Sequence, residues 1–371
     1  MIRAIHSGNG QGTGLENGRS VRIWLYFICL LIFGMVVVGG ATRLTDSGLS
    51  ITEWKPVHGV IPPLTHMQWL EDFEKYKQIP QYKQMNLGMS LEEFKTIFWW
   101  EWAHRLLGRT IGLFFFIPLV WFWVRGRLQP WIKPRLVFAL ALGGLQGLIG
   151  WWMVSSGLAE RVDVSQYRLA VHLSIALILF AYLFYLARLL KWTARGEKIT
   201  GDVNSDAFTR MSWAILLLLF LQLFMGALVA GLNAGLTFNT WPLMDGQVVP
   251  SGLLAMSPWW LNFTENVMTV QFQHRVTAYV LTGLIAFQSY RVMRGTGNLD
   301  LRKNAHWIAI AGIVQVALGV VTLLGHVPLD RALLHQGFAV VLLALCVDQL
   351  VLLRGAKAPS FAALSPQKKE A

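Results

Sequence analysis

Glu101 and His104 stand three residues apart in the run from Ser90 to Arg109, and on a helix they would share one stripe. A carboxylate there can hold or pass a proton, and a neutral imidazole can do the same or bind a metal ion. Ser90 followed by Glu93 forms a capping box, so the spacing predicts a helix that starts at Ser90 and runs into the apolar residues beyond. Phe94, Ile97, Phe98 and Gly108 continue the stripe.

His104 has relatives elsewhere in the chain. A shift of 187 residues lays Gly39–Pro63 on Gly226–Pro250, matching Gly48 with Gly235, Leu49 with Leu236, Trp54 with Trp241, Gly59 with Gly246 and Pro63 with Pro250. Asp46 meets Asn233 and Ser50 meets Thr237. A shift of 170 lays His104-Arg105 on His274-Arg275, one of 169 lays Gly143, Gln146 and Gly150 on Gly312, Gln315 and Gly319, and one of 163 lays His172 on His335. Because the matches keep their order, the chain is a duplication with altered loop lengths. Four of its nine histidines, His104, His172, His274 and His335, take part in the repeat.

These residues must be positioned by membrane helices. Of the 371 residues, 54% are hydrophobic and 14% charged, a balance foreign to soluble domains. Apolar runs near 23–42, 104–124, 136–155, 169–190, 211–230, 273–292, 306–324 and 333–353 are each about long enough to span a bilayer. The expected fold is therefore all-α and integral to the membrane, with eight transmembrane helices forming two tandem pseudo-symmetric four-helix bundles. The spans divide the chain into a cytoplasmic tail (1–22), a first bundle (23–190) with an external loop (43–100), a linker (191–210), a second bundle (211–353) and a tail (354–371).

The net charge of +12 is a signal of topology and not of nucleic-acid binding. Arg125, Arg127, Lys133 and Arg135 crowd one loop, Arg188, Lys191, Arg195 and Lys198 another, and Arg291, Arg294, Arg302 and Lys303 a third, whereas 231–271 holds no Lys or Arg. The positive-inside rule then places both termini in the cytoplasm and all four repeated histidines near the external face. Neither Cys29 nor Cys346 offers a metal site or a disulfide framework.

Ionisable side chains at membrane depth are costly and usually functional. Histidines facing each other across a four-helix bundle suit axial ligation of an iron porphyrin. The small residues Gly108, Ala176, Ala278 and Ala339, four positions after each histidine, would leave room for a flat macrocycle. Arg43, Arg105 and Arg275, at external helix ends, are candidate partners for its propionates, or else snorkel to lipid headgroups. The halves differ where Glu101 aligns with Gln271, an amide that cannot exchange a proton. Glu101 is thus either the group that makes the first half reactive or an ion-pair partner for Arg105 four residues on.

The run from Gly39 to Pro56, the Glu-Trp-Ala-His-Arg at 101–105 and the repeated histidines resemble the haem A synthase family of cytochrome oxidase assembly. The resemblance implies a haem b cofactor held by His274 and His335, a haem O substrate held by His104 and His172, and Glu101 as the catalytic residue. It implies oxidation of a haem O methyl group, through two hydroxylations and loss of water, to the formyl group of haem A. It also implies a cell (inner) membrane location, an electron-transfer partner, and work beside haem O synthase and oxidase assembly factors. The external cysteine pair of some members is absent here. A di-haem b-type electron-transfer protein is the alternative, disfavoured because no span carries two of the histidines; a parallel-repeat transporter lacks the expected broken spans.

Overall fold

In the computed structural model, residues 9–54, 58–159, 161–195 and 205–355 are described. Most of the expected tails, the middle of the 191–210 linker and His6 lie outside them. The described chain is helical, with one isolated bridge, Met244 with Gln247, as its β-structure. The helices are α1 (Asn9–Leu44), α2 (His66–Tyr76), α3 (Pro80–Gln84), α4 (Leu91–Val124), α5 (Lys133–Ser155), α6 (Gln166–Arg195), α7 (Ser205–Gly231), α8 (Val267–Gly295), α9 (Leu299–Leu324) and α10 (Leu329–Gly355).

Seven of these, namely α1 from Gly18 onward, α4, α5, α6, α7, α9 and α10, are long and apolar enough to cross a membrane. The expected eighth span, α8, is 29 residues long but is diluted by Gln271, Gln273, His274, Arg275, Gln288 and Ser289 on its buried and half-buried faces. The helices also start earlier than the apolar runs; α1 begins at Asn9, inside the polar segment expected to form the tail.

Helix α1 packs on α4 and α6, and α5 on α4 and α6; likewise α7 packs on α8 and α10, and α9 on α8 and α10. Contacts of α6 with α7, α6 with α10 and α1 with α10 join the two sets. A continuous core of Leu25, Ile28, Leu136, Leu183, Leu186, Ile215, Leu343 and their neighbours runs through this junction. Backbones come close there. A Cβ on Gly231 would lie 2.6 Å from Cβ and 2.7 Å from Cα of Gln166, so α7 and α6 meet through a glycine.

The expected capping box at Ser90 is present and starts α4, and a second, Thr65 with Gln68, starts α2. Between them, Trp69, Phe73, Tyr76, Phe94 and Phe98 bury an aromatic cluster that seats α2 on the first turns of α4, with Phe73 stacked on Phe94 at 4.9 Å. Tyr76 donates to Gln81, whose amide donates to the Asp46 carbonyl at 3.1 Å. This cap therefore braces the turn that follows α1.

Arg188 of α6 is ion-paired with Asp348 of α10, and Asn304 of α9 donates to the Leu345 carbonyl at 3.2 Å and reaches Asp348 at 3.5 Å. Removing one member of a largely buried pair strands the other charge, at a cost of about 3–5 kcal/mol, whereas removing both with apolar replacements costs far less. Asp348→Leu is therefore expected to lower thermal stability in detergent sharply, and Arg188→Leu/Asp348→Leu to recover most of the loss when melting is followed by circular dichroism.

Candidate functional site

Each repeated histidine sits in the first half of an even-numbered long helix, His104 on α4, His172 on α6, His274 on α8 and His335 on α10, and its ring rests on a glycine of a neighbouring helix. A Cβ on Gly39 would lie 2.8 Å from Cε1 of His104; on Gly150, 3.0 Å from His172; on Gly226, 3.2 Å from His274; on Gly319, 2.9 Å from His335. The glycines belong to α1, α5, α7 and α9, and each is five residues before the end of its helix, at Leu44, Ser155, Gly231 and Leu324. The four sites therefore share one geometry at the same end of the molecule. His104 lies within electrostatic reach of His172, and His274 of His335, so the histidines form two pairs, one in each half of the repeat.

Glutamines support three of the rings. Gln146 donates to the His172 carbonyl at 2.9 Å and approaches its Nε2 at 3.5 Å. Gln222 donates to the His274 carbonyl at 3.0 Å, with its amide nitrogen 3.0 Å from Nδ1. Gln315 does the same for His335 at 3.0 and 3.1 Å. Every one of these glutamines is four residues before its glycine, one helical turn away. In the second half both Nδ1 atoms thus have a partner; in the first, Nδ1 of His104 and of His172 are buried without one.

Glu101 is 2% exposed and its carboxylate is fully engaged. Ser50 Oγ and the Ile51 N–H donate to Oε2, both at 2.7 Å, while Arg105 donates to Oε1 through Nε at 3.0 Å and Nη2 at 2.6 Å. Arg105 also caps the carbonyls of Glu53 at 3.0 Å and Ile51 at 2.8 Å. The Glu101–Arg105 pairing weighed from sequence is thus present, and none of the carboxylate's hydrogen bonds goes to His104.

The second half repeats this scaffold with inverted polarity. Arg275 donates to Phe238 and Thr240 carbonyls, the repeat equivalents of Ile51 and Glu53, at 2.6 and 2.8 Å, and to Gln271 Oε1 at 3.1 Å. But where Glu101 receives hydrogen bonds from its loop, Gln271 gives them, to the carbonyls of Ala234 at 2.9 Å and Thr237 at 2.7 Å. The turns preceding the two loops match as well: Asp46 and Asn233, equivalent in the repeat, both adopt positive φ, at 52° and 53°. Asp and Asn are the side chains that best tolerate that conformation.

The third expected arginine joins the halves. Arg43 pairs with Asp46 at 3.0 Å and Asp163 at 3.6 Å and donates to Asn233 at 2.9 Å. Burial raises the Asp46 carboxyl above the usual carboxylate range, with Arg43 opposing. Beside it, Gln336, adjacent to His335, donates to the Val36 carbonyl at 3.0 Å and fills the gap over Gly40, the neighbour of Gly39.

Two repeat-related pairs of histidines, each ring seated on a helix-end glycine, mark the class: a helical multi-pass membrane protein with paired imidazoles in each half of its repeat. A family profile described as cytochrome oxidase assembly protein matches residues 22–347, and the chain belongs to that family. Among its relatives, proteins named heme A synthase from Chelativorans sp. (strain BNC1), Agrobacterium fabrum (strain C58) and Bradyrhizobium sp. (strain ORS 278) are 51%, 52% and 52% identical to it. The alignments cover 91%, 90% and 89% of this chain and 91%, 90% and 90% of theirs.

The glycines and glutamines around the rings carried no role in the sequence reading, although two of the Gln–Gly pairs fell in its repeat. The recurring four-residue spacing of Gln146 and Gly150, Gln222 and Gly226, and Gln315 and Gly319 is the signal that could have found them. The inverted loop polarity is testable. Gln271→Glu would press a carboxylate against two carbonyl oxygens, so it is expected to destabilise the protein by about 1–3 kcal/mol, seen as a lower melting temperature at neutral pH.

Proposed function

We propose that the protein is a haem A synthase, oxidising a methyl group of haem O to a formyl group to supply haem A for cytochrome oxidase. The observation that carries the reading is the pairing of the histidines. Among the described residues no cluster of three or more His, Cys, Asp or Glu side chains could hold a bare metal ion. Two imidazoles alone would not complete a bare ion's ligand set, so they would hold a group that brings donors of its own, such as an iron porphyrin. Glycines at Gly39, Gly150, Gly226 and Gly319 keep the rings free of the adjacent backbone, and the residues fit that group.

The halves divide the work. His274 and His335 would hold a permanent haem b: Gln222 and Gln315 donate to their backbone carbonyls and so tie the turns that carry both rings to the neighbouring helices. His104, which no glutamine holds, and His172 would hold haem O, which must arrive and leave as haem A. The haem b supplies one-electron redox chemistry. Glu101 acts at the substrate methyl group: Arg105 orients its carboxylate through Oε1, and the Ser50 hydroxyl on Oε2 offers the path by which a proton reaches or leaves it. Arg43, Arg105 and Arg275 neutralise the propionates, with Nε of Arg43 and Arg275 the atoms left without protein partners.

In this reading α8 is the eighth crossing, its polar residues directed to haem b and to its neighbours instead of lipid, and the helices form two tandem four-helix bundles related by the repeat. The basic loops then face the cytoplasm with both termini, the histidines lie at the external side of the cell (inner) membrane, and the partners are an electron donor or acceptor, haem O synthase and oxidase assembly factors.

Extraction and mass analysis of haems from cells supplied with haem O tests the assignment. The wild type should yield haem A. Glu101→Gln should retain haem b while formyl formation falls at least about 100-fold, the scale of a lost acid–base group. Full formation in that variant would remove Glu101 from the chemistry, and absence of haem A from the wild type would favour the electron-transfer alternative.

A further inference from the structure

Three of the four histidines have a glutamine one turn before the glycine that seats them, and the fourth does not. Four residues before Gly39, where Gln146, Gln222 and Gln315 stand in the other sites, the chain has Met35. A thioether donates no hydrogen bond. Met35 makes none to the His104 carbonyl; its Cε lies instead 3.4 Å from where a Cβ of Gly108 would be, one turn further along α4. His104 Nδ1 is buried and unpartnered. The ring is thus held by packing on Gly39, while each of the other three is also tied to a glutamine that grips its own backbone carbonyl.

We infer that Met35 makes His104 the releasable ligand of the substrate haem, with His172, anchored through Gln146, the ligand that stays. The inference rests on the reading that the first half takes the substrate haem. The argument is one of restraint. An amide that donates to the histidine's own carbonyl ties that turn of the helix to its neighbour, so the ring it carries has less freedom to swing away than one held by packing alone. A substrate haem clasped equally firmly from both sides would be a cofactor, so one soft ligand is what uptake and product release require. Met35 is a positioning residue here: it acts through the freedom it leaves to His104. It fills the space of a glutamine with a side chain of similar length and no donor.

Carbon monoxide reads this directly, because it occupies an axial position on reduced haem only where a protein ligand has let go. Purified full-length protein carrying both haems, reduced with dithionite, is expected to form the adduct on one haem. Met35→Gln should slow or diminish that adduct about tenfold at unchanged haem content, and Gln222→Met should make the second haem reactive. Because the two substitutions work in opposite halves and opposite directions, misfolding of one leaves the other decisive. Unchanged carbon monoxide reactivity in both variants, with both haems in place, overturns the role of Met35. Should His104→Ala/His172→Ala retain the wild-type haem content, it is the assignment of a haem to the first half that falls, and the inference with it.

Discussion

The approach of paired helices at their ends governs this structure. Gly39, Gly150, Gly226 and Gly319 let each imidazole lie against a neighbouring backbone at distances a side chain could not tolerate, about 3 Å from the position of a missing Cβ. A methyl group there would drive the ring outward or push the helices apart. Everything else about the site follows from that approach. The ring is aimed across the bundle, the glutamine one turn back comes within reach of the histidine carbonyl, and the even-numbered helices present their first turns to the ends of the odd-numbered ones.

The loops that close these helix ends show how a duplicated scaffold diverges without losing its frame. Arg105 and Arg275 cap equivalent pairs of carbonyls, Ile51 and Glu53 in one half and Phe238 and Thr240 in the other. The residue one turn before each arginine then completes the knot in opposite senses. A carboxylate accepts from Ser50 and the Ile51 N–H; an amide donates to Ala234 and Thr237. The exchange of Glu101 for Gln271 is thus accompanied by a change in which backbone groups the loop turns inward, and a single substitution does not convert one half into the other. The aromatic cap of Trp69, Phe73, Tyr76 and Phe94 braces the reactive half's loop, through Gln81 on Asp46.

Much of this was legible in the chain. The repeat picked out four of nine histidines, the capping box at Ser90 located the start of α4, and the helix-spaced Glu101 and Arg105 announced their pair. Apolar length marked eight runs, of which seven fall on helices long and apolar enough to cross a membrane; the eighth, α8, is diluted by glutamines, His274 and Arg275, which face neighbouring helices and loops. Charge and depth alone left the arginines as propionate contacts or snorkelling side chains; their protein partners lie 35 to 190 residues away or one turn distant along the chain, and only folding brings the former close. A glycine's meaning is likewise invisible until the ring it admits is known.

The same packing joins the two sites. Gln336 follows His335 on α10 and lies over Gly40, which follows Gly39 on α1, so the helix that carries one histidine is keyed to the helix that seats another. In the repeat, Leu173 and Ala227 replace that pair, and there the contact is apolar, part of a buried cluster between α6 and α7. Sliding α10 along α1 would separate Gln336 from the Val36 carbonyl and tilt His335 as it shifted the bed of His104. A purely apolar contact resists such sliding less specifically, since it has no donor and acceptor to hold in register. The polar key therefore stands where α1, whose Gly39 seats the glutamine-free His104, packs on α10, which carries the glutamine-held His335.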